Sequence, residues 1–383
     1  MLGRDMQRTK VGQMAAVSFY HVNKYYGPQV HAVRDFNLQI ADGEFVVMVG
    51  PSGCGKTSVL RMLAGLEHIS SGEIRLNDRV INNVEAGNRD MAMVFQDYSL
   101  FPNMTVEENI TFAIRMRKMD KKTCQKRAAE VAEKLGIAQY LKQKARGLSG
   151  GECQRISIAR ALVCEPQVFL YDEPLSNLDS ANRTGIRKLI AELHKANPIT
   201  TLYVTHNQDE AMTLGDRIVV MNEGVIQQID SPENLYLKPD NVYVSQFVGQ
   251  DPMNLNLIKI HKEAGSHSLL LSDLRLPIPE RKLQNILSAG YEEDEILMGL
   301  RAEDVKFSEE EGNDPEWVSL KAEVNHLEVL GAHTIVNLAC GEANFNSLKD
   351  SDPRLRTIKE GYIQFLPEKM HFFHKESGKA LSH

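Results

Sequence analysis

A chain of 383 residues with 42% hydrophobic and 25% charged side chains has ordinary globular composition and is long enough for two domains. Its net charge of −7 argues against a general nucleic-acid binder, because affinity for a phosphate backbone needs a local excess of Lys and Arg. No apolar stretch approaches the roughly 20 residues that cross a bilayer, and Met1 to Lys10 carries charges with no apolar run behind it, so a cytosolic chain is expected.

Residues 1–14 show no periodicity and read as a loose tail. Val17 to Tyr26 alternates as a strand does, and Ala32 to Ile40 does so for part of its length. Tyr26 lies between them, where an aromatic ring either stacks on an adenine face or is an ordinary strand-end tyrosine. Asp42-Gly43 supplies a turn into the apolar run Phe45 to Val49, a buried strand. There follows Gly50-Pro51-Ser52-Gly53-Cys54-Gly55-Lys56-Thr57-Ser58, which matches the phosphate-binding pattern G-x-x-x-x-G-K-[ST], and then the helical run Val59 to Ala64. The three glycines let the backbone wrap close to a polyphosphate, so that amide hydrogens and a helix start face anionic oxygens. Lys56 would reach the β- and γ-phosphates, and Thr57 would offer its hydroxyl to Mg²⁺. The Cys54 thiol is expected to be partly exposed there, a setting that favours alkylation. The five cysteines lack C-x-x-C spacing, which fits reduced thiols and argues against a disulfide framework or a zinc site.

Short strand-like pieces occupy Ile74 to Val84, and Met91 to Val94 leads an apolar run to the single amide Gln96. From Thr105 to Leu141 the chain turns helical, with Thr105 and Glu108 spaced as a capping box, and this reads as an inserted helical block. Its cluster Arg115, Arg117, Lys118, Lys121 and Lys122 is expected to be a solvated helix end and loop. Gly150 and Gly151 then precede the helix Cys153 to Leu162, either exposing its first amides or acting as a hinge. Gln167 to Asp172 reads as a second buried strand ending in Asp172 and Glu173. Open parallel sheets carry their chemistry at strand carboxyl ends, which suits Asp172 to Mg²⁺ and Glu173 to a water attacking a γ-phosphate; the alternative is two charges capping the next helix. Ile186, Leu189, Ile190 and Leu193 mark that helix, and Thr201 to Thr205 a third strand with His206 at its end, well placed for a γ-phosphate.

Taken together these residues resemble the nucleotide-binding subunit of an ATP-binding cassette (ABC) transporter over nearly the whole chain. The resemblance makes Gly50 to Thr57 the Walker A loop and Gln96 the Q-loop residue, counted with Thr57 and Asp172 as ligands of magnesium. Leu148 to Glu152 is then the signature motif, Val168 to Glu173 the Walker B strand, Ser176 to Asp179 the D-loop, His206 the switch histidine and Tyr26 the adenine-stacking aromatic. Two positions depart from the family pattern: Glu152 stands where Gln is commoner, and Asn207 where Asp is commoner. The implied fold is an α/β P-loop domain over 15–249, its helical subdomain near 97–162, followed over 250–383 by a small regulatory β-barrel related to the oligonucleotide-binding fold. Ile229 to Tyr236, Asp251-Pro252-Met253-Asn254 and Gly299 to Val305 resemble importer ATPases of the maltose and glycerol-3-phosphate type.

The resemblance implies ATP and Mg²⁺ as ligands and a head-to-tail homodimer. In it, Ser149, Gly150 and Gly151 of one subunit close over ATP on the other, with Glu173, His206 and Lys56 as the catalytic groups. Permease subunits and, through them, an extracytoplasmic solute-binding protein would be the partners, at the cytoplasmic face of the membrane, with no nucleic acid. The alternatives are an importer ATPase for polyamine, iron or sulfate, and a soluble cassette ATPase of DNA repair or translation.

Overall fold

The computed structural model describes residues 15–263, 266–271, 274–291 and 293–383, so the stretch read as a tail lies outside the described residues. The chain forms two compact units that divide between Pro232 and Glu233.

The first unit begins with β1 (Val17–Tyr26) and β2 (Val30–Ile40), an antiparallel pair whose alternation buries Val17, Phe19, Phe36 and Leu38. Next come β3 (Phe45–Val49), α1 (Lys56–Ala64), β4 (Ser71–Leu76), β5 (Arg79–Val80) and β6 (Met91–Val94). The helical block is α2 (Val106–Met116), α3 (Lys121–Lys134) and α4 (Gly150–Leu162). Then β7 (Val168–Asp172), α5 (Ser180–Ala196), β8 (Thr200–Val204), α6 (Gln208–Leu214), β9 (Arg217–Asn222) and β10 (Val225–Asp230) complete it. A four-stranded antiparallel sheet runs β2-β1-β4-β5, and a six-stranded sheet runs β10-β9-β3-β8-β7-β6. Every residue of β3, β7 and β8 is buried, as a parallel sheet covered by helices on both faces requires.

Local chemistry fixes the helix ends. Thr105 and Glu108 form the capping box expected of them, and Asp120 caps α3. At the C-terminal end of α1, the buried Arg89 donates to the Met62 and Leu63 carbonyls at 2.8 Å each, adding to the Gly65 N–H that reaches the Met62 carbonyl at 3.2 Å.

In the second unit, α7 (Pro232–Leu237) and α8 (Val242–Phe247) lead into a six-stranded antiparallel sheet and a five-stranded one. The first holds β11 (Asn254–Glu263), β12 (Ser266–Leu271), β13 (Leu274–Leu276) and β14 (Glu295–Leu300), with helix α9 (Glu280–Ser288) between β13 and β14. The second is built from β15 (Lys306–Ser308), β16 (Val318–Leu330), β17 (His333–Cys340), β18 (Ala343–Asp350) and β19 (Glu360–Phe365), in the order β15-β19-β16-β17-β18. Strands β20 (His371–Phe373) and β21 (Ala380–Ser382) return to the first sheet beside β14. Glu295 opens β14 opposite Lys259, and Ile296, Met298 and Leu300 behind it belong to the core.

Two devices hold this unit together. Arg301, 1% exposed, donates to the carbonyls of Ser245, Val248 and Tyr236 and lies 4.3 Å over the Tyr236 ring, so α7 and α8 are fastened to the end of β14. That attachment is why the division between units falls at the first residue of α7, whereas the sequence-based boundary lies at 249/250. The second device joins the sheets: the buried Asn254 amide donates to the Asn346 carbonyl at 2.9 Å and accepts from its N–H at 2.6 Å, and Asn256 does the same with Asn344 at 3.0 Å both ways. Two side chains thereby stand in for a strand along the edge of β18. Asn254→Ala is expected to destabilise this unit by about 1–3 kcal/mol, read by urea denaturation, because it strands a paired N–H and C=O. Asn254→Asp, which cannot donate, should be no better.

Candidate nucleotide-binding site

Parallel pairing puts the informative residues on one edge. β8 lies between β3 and β7, and β6 pairs with β7 on its far side, in continuous parallel register. The chain therefore leaves four neighbouring strands at one end of the sheet, as the 50–57 loop after β3, His206 after β8, Asp172-Glu173 at β7 and Gln96 after β6.

The loop itself is held by what glycine lacks. A Cβ on Gly50 (φ 156°) would fall on the Met221 carbonyl, and one on Gly55 (φ 103°) on the Ala32 carbonyl. Only glycine lets the loop settle against β2 and β9 at these points. Pro51, Ser52 and Gly53 form its exposed crest, and Thr57 and Ser58 open α1 half-buried. Lys56, 4% exposed, donates to the Gly50 carbonyl at 2.7 Å and the Pro51 carbonyl at 2.9 Å. Its charge is thus curled inside the loop with neutral acceptors. The Thr57 hydroxyl donates to Asp172 Oδ1 at 3.0 Å, which places a hydroxyl and a carboxylate together as hard oxygen donors of the kind magnesium takes. Burial raises the Asp172 carboxyl above the usual range, with Glu173 adding to the rise; the Thr57 hydrogen bond and the charges of Arg61 and Lys56 oppose it.

Glu173 sits at φ 44°, a left-handed conformation unusual outside glycine, and its Oε2 lies 3.0 Å from His206 Nδ1. The histidine is aimed by its neighbours. Glu210, 2% exposed, accepts from the Tyr203 and Thr205 hydroxyls at 2.8 Å each, and the Asn207 N–H donates to the Thr205 hydroxyl at 3.0 Å. Asn207 caps α6 through its Oδ1 at 3.0 Å from the Glu210 N–H, a task Asn and Asp share, so this departure from the family pattern leaves the cap intact. Sequence reasoning passed over Glu210; a carboxylate four residues after a strand-end histidine is the signal that pointed to it.

Tyr26, 40% exposed, reaches from β1 to the first turn of α1, its hydroxyl 3.1 Å from Ser58 Oγ and hydrogen-bonded to Glu67, with Lys24 Nζ 4.8 Å from the ring centre. Gln96 is exposed two residues beyond β6, and its carbonyl accepts from Asn177 Nδ2 at 2.9 Å. Ser149, Gly150 and Gly151 do not join the four strand ends. They start α4, whose main packing partners are α2, α3, α5 and β6, with Ser149 exposed as its cap. A Cβ on Gly151 would lie 2.7 Å from Asn182 Oδ1, and one on Gly150 3.1 Å from the Tyr98 hydroxyl, so both glycines are fixed by close neighbours and the hinge alternative is not needed.

A family model described as "ABC transporter" matches residues 33–176. The trehalose/maltose import ATP-binding protein MalK of Thermococcus litoralis is 42% identical over 377 residues, covering 96% of this chain and 100% of that protein. The chain belongs to the ABC transporter family. The oligosaccharides import ATP-binding protein MsmX of Bacillus subtilis is 41% identical over 371 residues, 95% of this chain and 99% of that protein. Among solved structures, an ATP-binding cassette captured as a dimer in a post-hydrolysis state with ADP and Pi is 30% identical with a TM-score of 0.52, covering 56% of this chain and 98% of that one. This ABC protein is accordingly an ATPase subunit with the nucleotide-binding fold of the family.

The expectation for Cys54 is corrected. Its thiol is 3% exposed, because Gly50 leaves the space into which Sγ packs beneath the loop. The buried Asp172 generates a stability prediction with a definite sign. A carboxyl whose folded pKa is raised is destabilising once ionised, so Asp172→Asn should raise the Tm of the nucleotide-free protein by a few degrees at pH 7. The gain should vanish as pH falls through the folded pKa to the unfolded value near 4, while Mg²⁺-dependent nucleotide binding is lost; scanning calorimetry across pH reads the first and a fluorescent ATP titration the second.

Proposed function

We propose that this subunit hydrolyses Mg²⁺-ATP to drive a carbohydrate importer, as one half of a homodimer seated on permease subunits at the cytoplasmic face of the membrane. The observation that carries the catalytic reading is the pair at the strand ends: Glu173 Oε2 lies 3.0 Å from His206 Nδ1, beside the loop that buries Lys56 and the Thr57–Asp172 contact. In this reading, Glu173 orients and deprotonates the attacking water, and His206 holds Glu173 and contacts the γ-phosphate. Lys56 leaves the Gly50 and Pro51 carbonyls for phosphate oxygens, and the loop amides from Pro51 to Ser58 cradle the rest. Thr57, Asp172 and Gln96 would hold Mg²⁺, which supplies neutralisation of phosphate charge. Tyr26 offers its exposed ring to the adenine. Ser149, exposed at the start of α4 with Gly150 and the buried Gly151 behind it, serves the nucleotide of the second copy, so each site is completed in trans.

Carbohydrate as the solute class is supported by two near-full-length relatives, named for the import of trehalose and maltose and of oligosaccharides. A relative of Synechocystis named for the uptake of osmoprotective compounds is 41% identical over 361 residues, so uptake of a solute is the shared theme. The second unit, with its own core and two sheets, would act as a regulatory domain. Among the described residues no helix is long and apolar enough to cross a membrane, so attachment would be through the permease and, beyond it, a solute-binding protein.

Glu173→Gln should lower ATP turnover by about 10²–10⁴-fold with nucleotide binding retained, measured by phosphate release and ATP titration; turnover near wild type would remove Glu173 from its role. For the solute, labelled maltose, trehalose and sn-glycerol-3-phosphate uptake should be tested in cells lacking this gene. Loss of carbohydrate uptake, restored by the wild type and not by the Gln variant, is the expected result.

A further inference from the structure

The start of α4 carries a charge that the chemistry of the site does not call for. The Ser149 hydroxyl donates to Glu152 Oε2 at 2.8 Å, and the Ser149 N–H donates to the same oxygen at 2.8 Å. In return the Glu152 N–H reaches Ser149 Oγ at 3.4 Å, which closes the capping box. A serine hydroxyl has one proton, and here it is committed to a carboxylate. Hydrogen bonds from the Tyr140 hydroxyl and from Ser149 hold that carboxyl below the usual carboxylate range, which favours its charged form.

An anion approaching this helix start therefore meets a fixed negative charge at the position where the helix dipole would otherwise favour anions. It also meets a hydroxyl whose proton must first leave a charge-assisted bond. We propose that Glu152 is a positioning residue that weakens the closed, ATP-bound state, by holding the Ser149 proton and opposing the γ-phosphate charge, and so speeds reopening. This rests on the reading above, in which Ser149 closes over the nucleotide of a second copy. A glutamine at the same place would keep the capping geometry, since its carbonyl can accept from Ser149, while removing the charge and relaxing the hold on the proton.

The test uses the full chain carrying Glu173→Gln, so that ATP is not consumed, with and without Glu152→Gln. Radiolabelled ATP occluded through rapid desalting is measured against ATP concentration, together with its release half-life. Glu152→Gln should lower the ATP concentration for half-occlusion by roughly three- to tenfold and lengthen the half-life by a similar factor, the range expected of one charge at a helix terminus. Glu152→Gln should leave binding of fluorescent ATP to a Ser149→Arg chain, in which closure is blocked, unchanged, while Tm falls slightly with loss of the charged cap; tighter occlusion from a less stable chain separates charge from a merely structural effect. Unchanged or weaker occlusion in Glu152→Gln overturns the proposal. Absence of occlusion in both chains overturns the two-copy reading itself and this inference with it.

Discussion

The constraint on which the site depends is the uninterrupted parallel register of β3, β8, β7 and β6. Parallel neighbours all finish at the same edge, so four segments far apart in sequence leave the sheet side by side without any contact between them having to be specified. Full burial of β3, β7 and β8 makes that register hard to shift, since a slip of one residue would exchange the faces packed against helices on either side. The precision of the 3.0 Å contacts from Thr57 to Asp172 and from His206 to Glu173 is inherited from the sheet.

That rigid frame holds groups that would not arrange themselves this way in isolation. Lys56 keeps a charge within the protein with two carbonyls for company, Asp172 keeps a carboxylate where burial opposes it, and Glu173 keeps a left-handed backbone. Under the proposed function the first two would be relieved by the same event, the arrival of a polyphosphate with its metal: the ammonium would gain anionic acceptors and the carboxylate a cation. Binding energy is thus concentrated on the bound state because the free state has been made uncomfortable.

Much of this was legible in the sequence, for a physical reason. Strand–glycine loop–helix signals are local, and so are N-caps: Thr105 with Glu108 and the limits of β1 at Val17 and Tyr26 follow from side chains within a few residues of each other. What stayed hidden depends on contacts between distant segments. Arg89, Arg301, Asn254 and Asn256 read as ordinary polar residues, yet each is buried because it replaces missing backbone partners, a property of the place to which the fold carries it. Cys54 was misplaced for the same reason: next to a phosphate loop a thiol should be reachable, but the space under Gly50, closed by Met221, draws it inward. Glu210 falls between the cases: its place four residues after His206 is a local signal, while the Tyr203 and Thr205 hydroxyls that turn to it are brought there by the fold.

The two glycine-rich stretches use one chemical device in opposite mechanical settings. Gly50 and Gly55 allow a loop to fold down onto backbone carbonyls and enclose its lysine, whereas Gly150 and Gly151 sit on a helix start that projects Ser149 outward. The second is not isolated from the first. Arg160 of α4 donates to the Tyr98 carbonyl at 2.9 Å and to the Ser99 carbonyl, Tyr98 and Ser99 are both left-handed, and Asn177 after β7 donates to the Gln96 carbonyl at 2.9 Å. The segment from Gln96 to Ser99 is therefore fastened at one end to the β7 edge and at the other to α4. Its turn is left-handed at two residues and its anchors are hydrogen bonds, so it is a link between the strand-end cluster and the outward serine that can change shape without disturbing either core. A displacement at Gln96 would reach α4 through Arg160, and so would alter how Ser149 is presented.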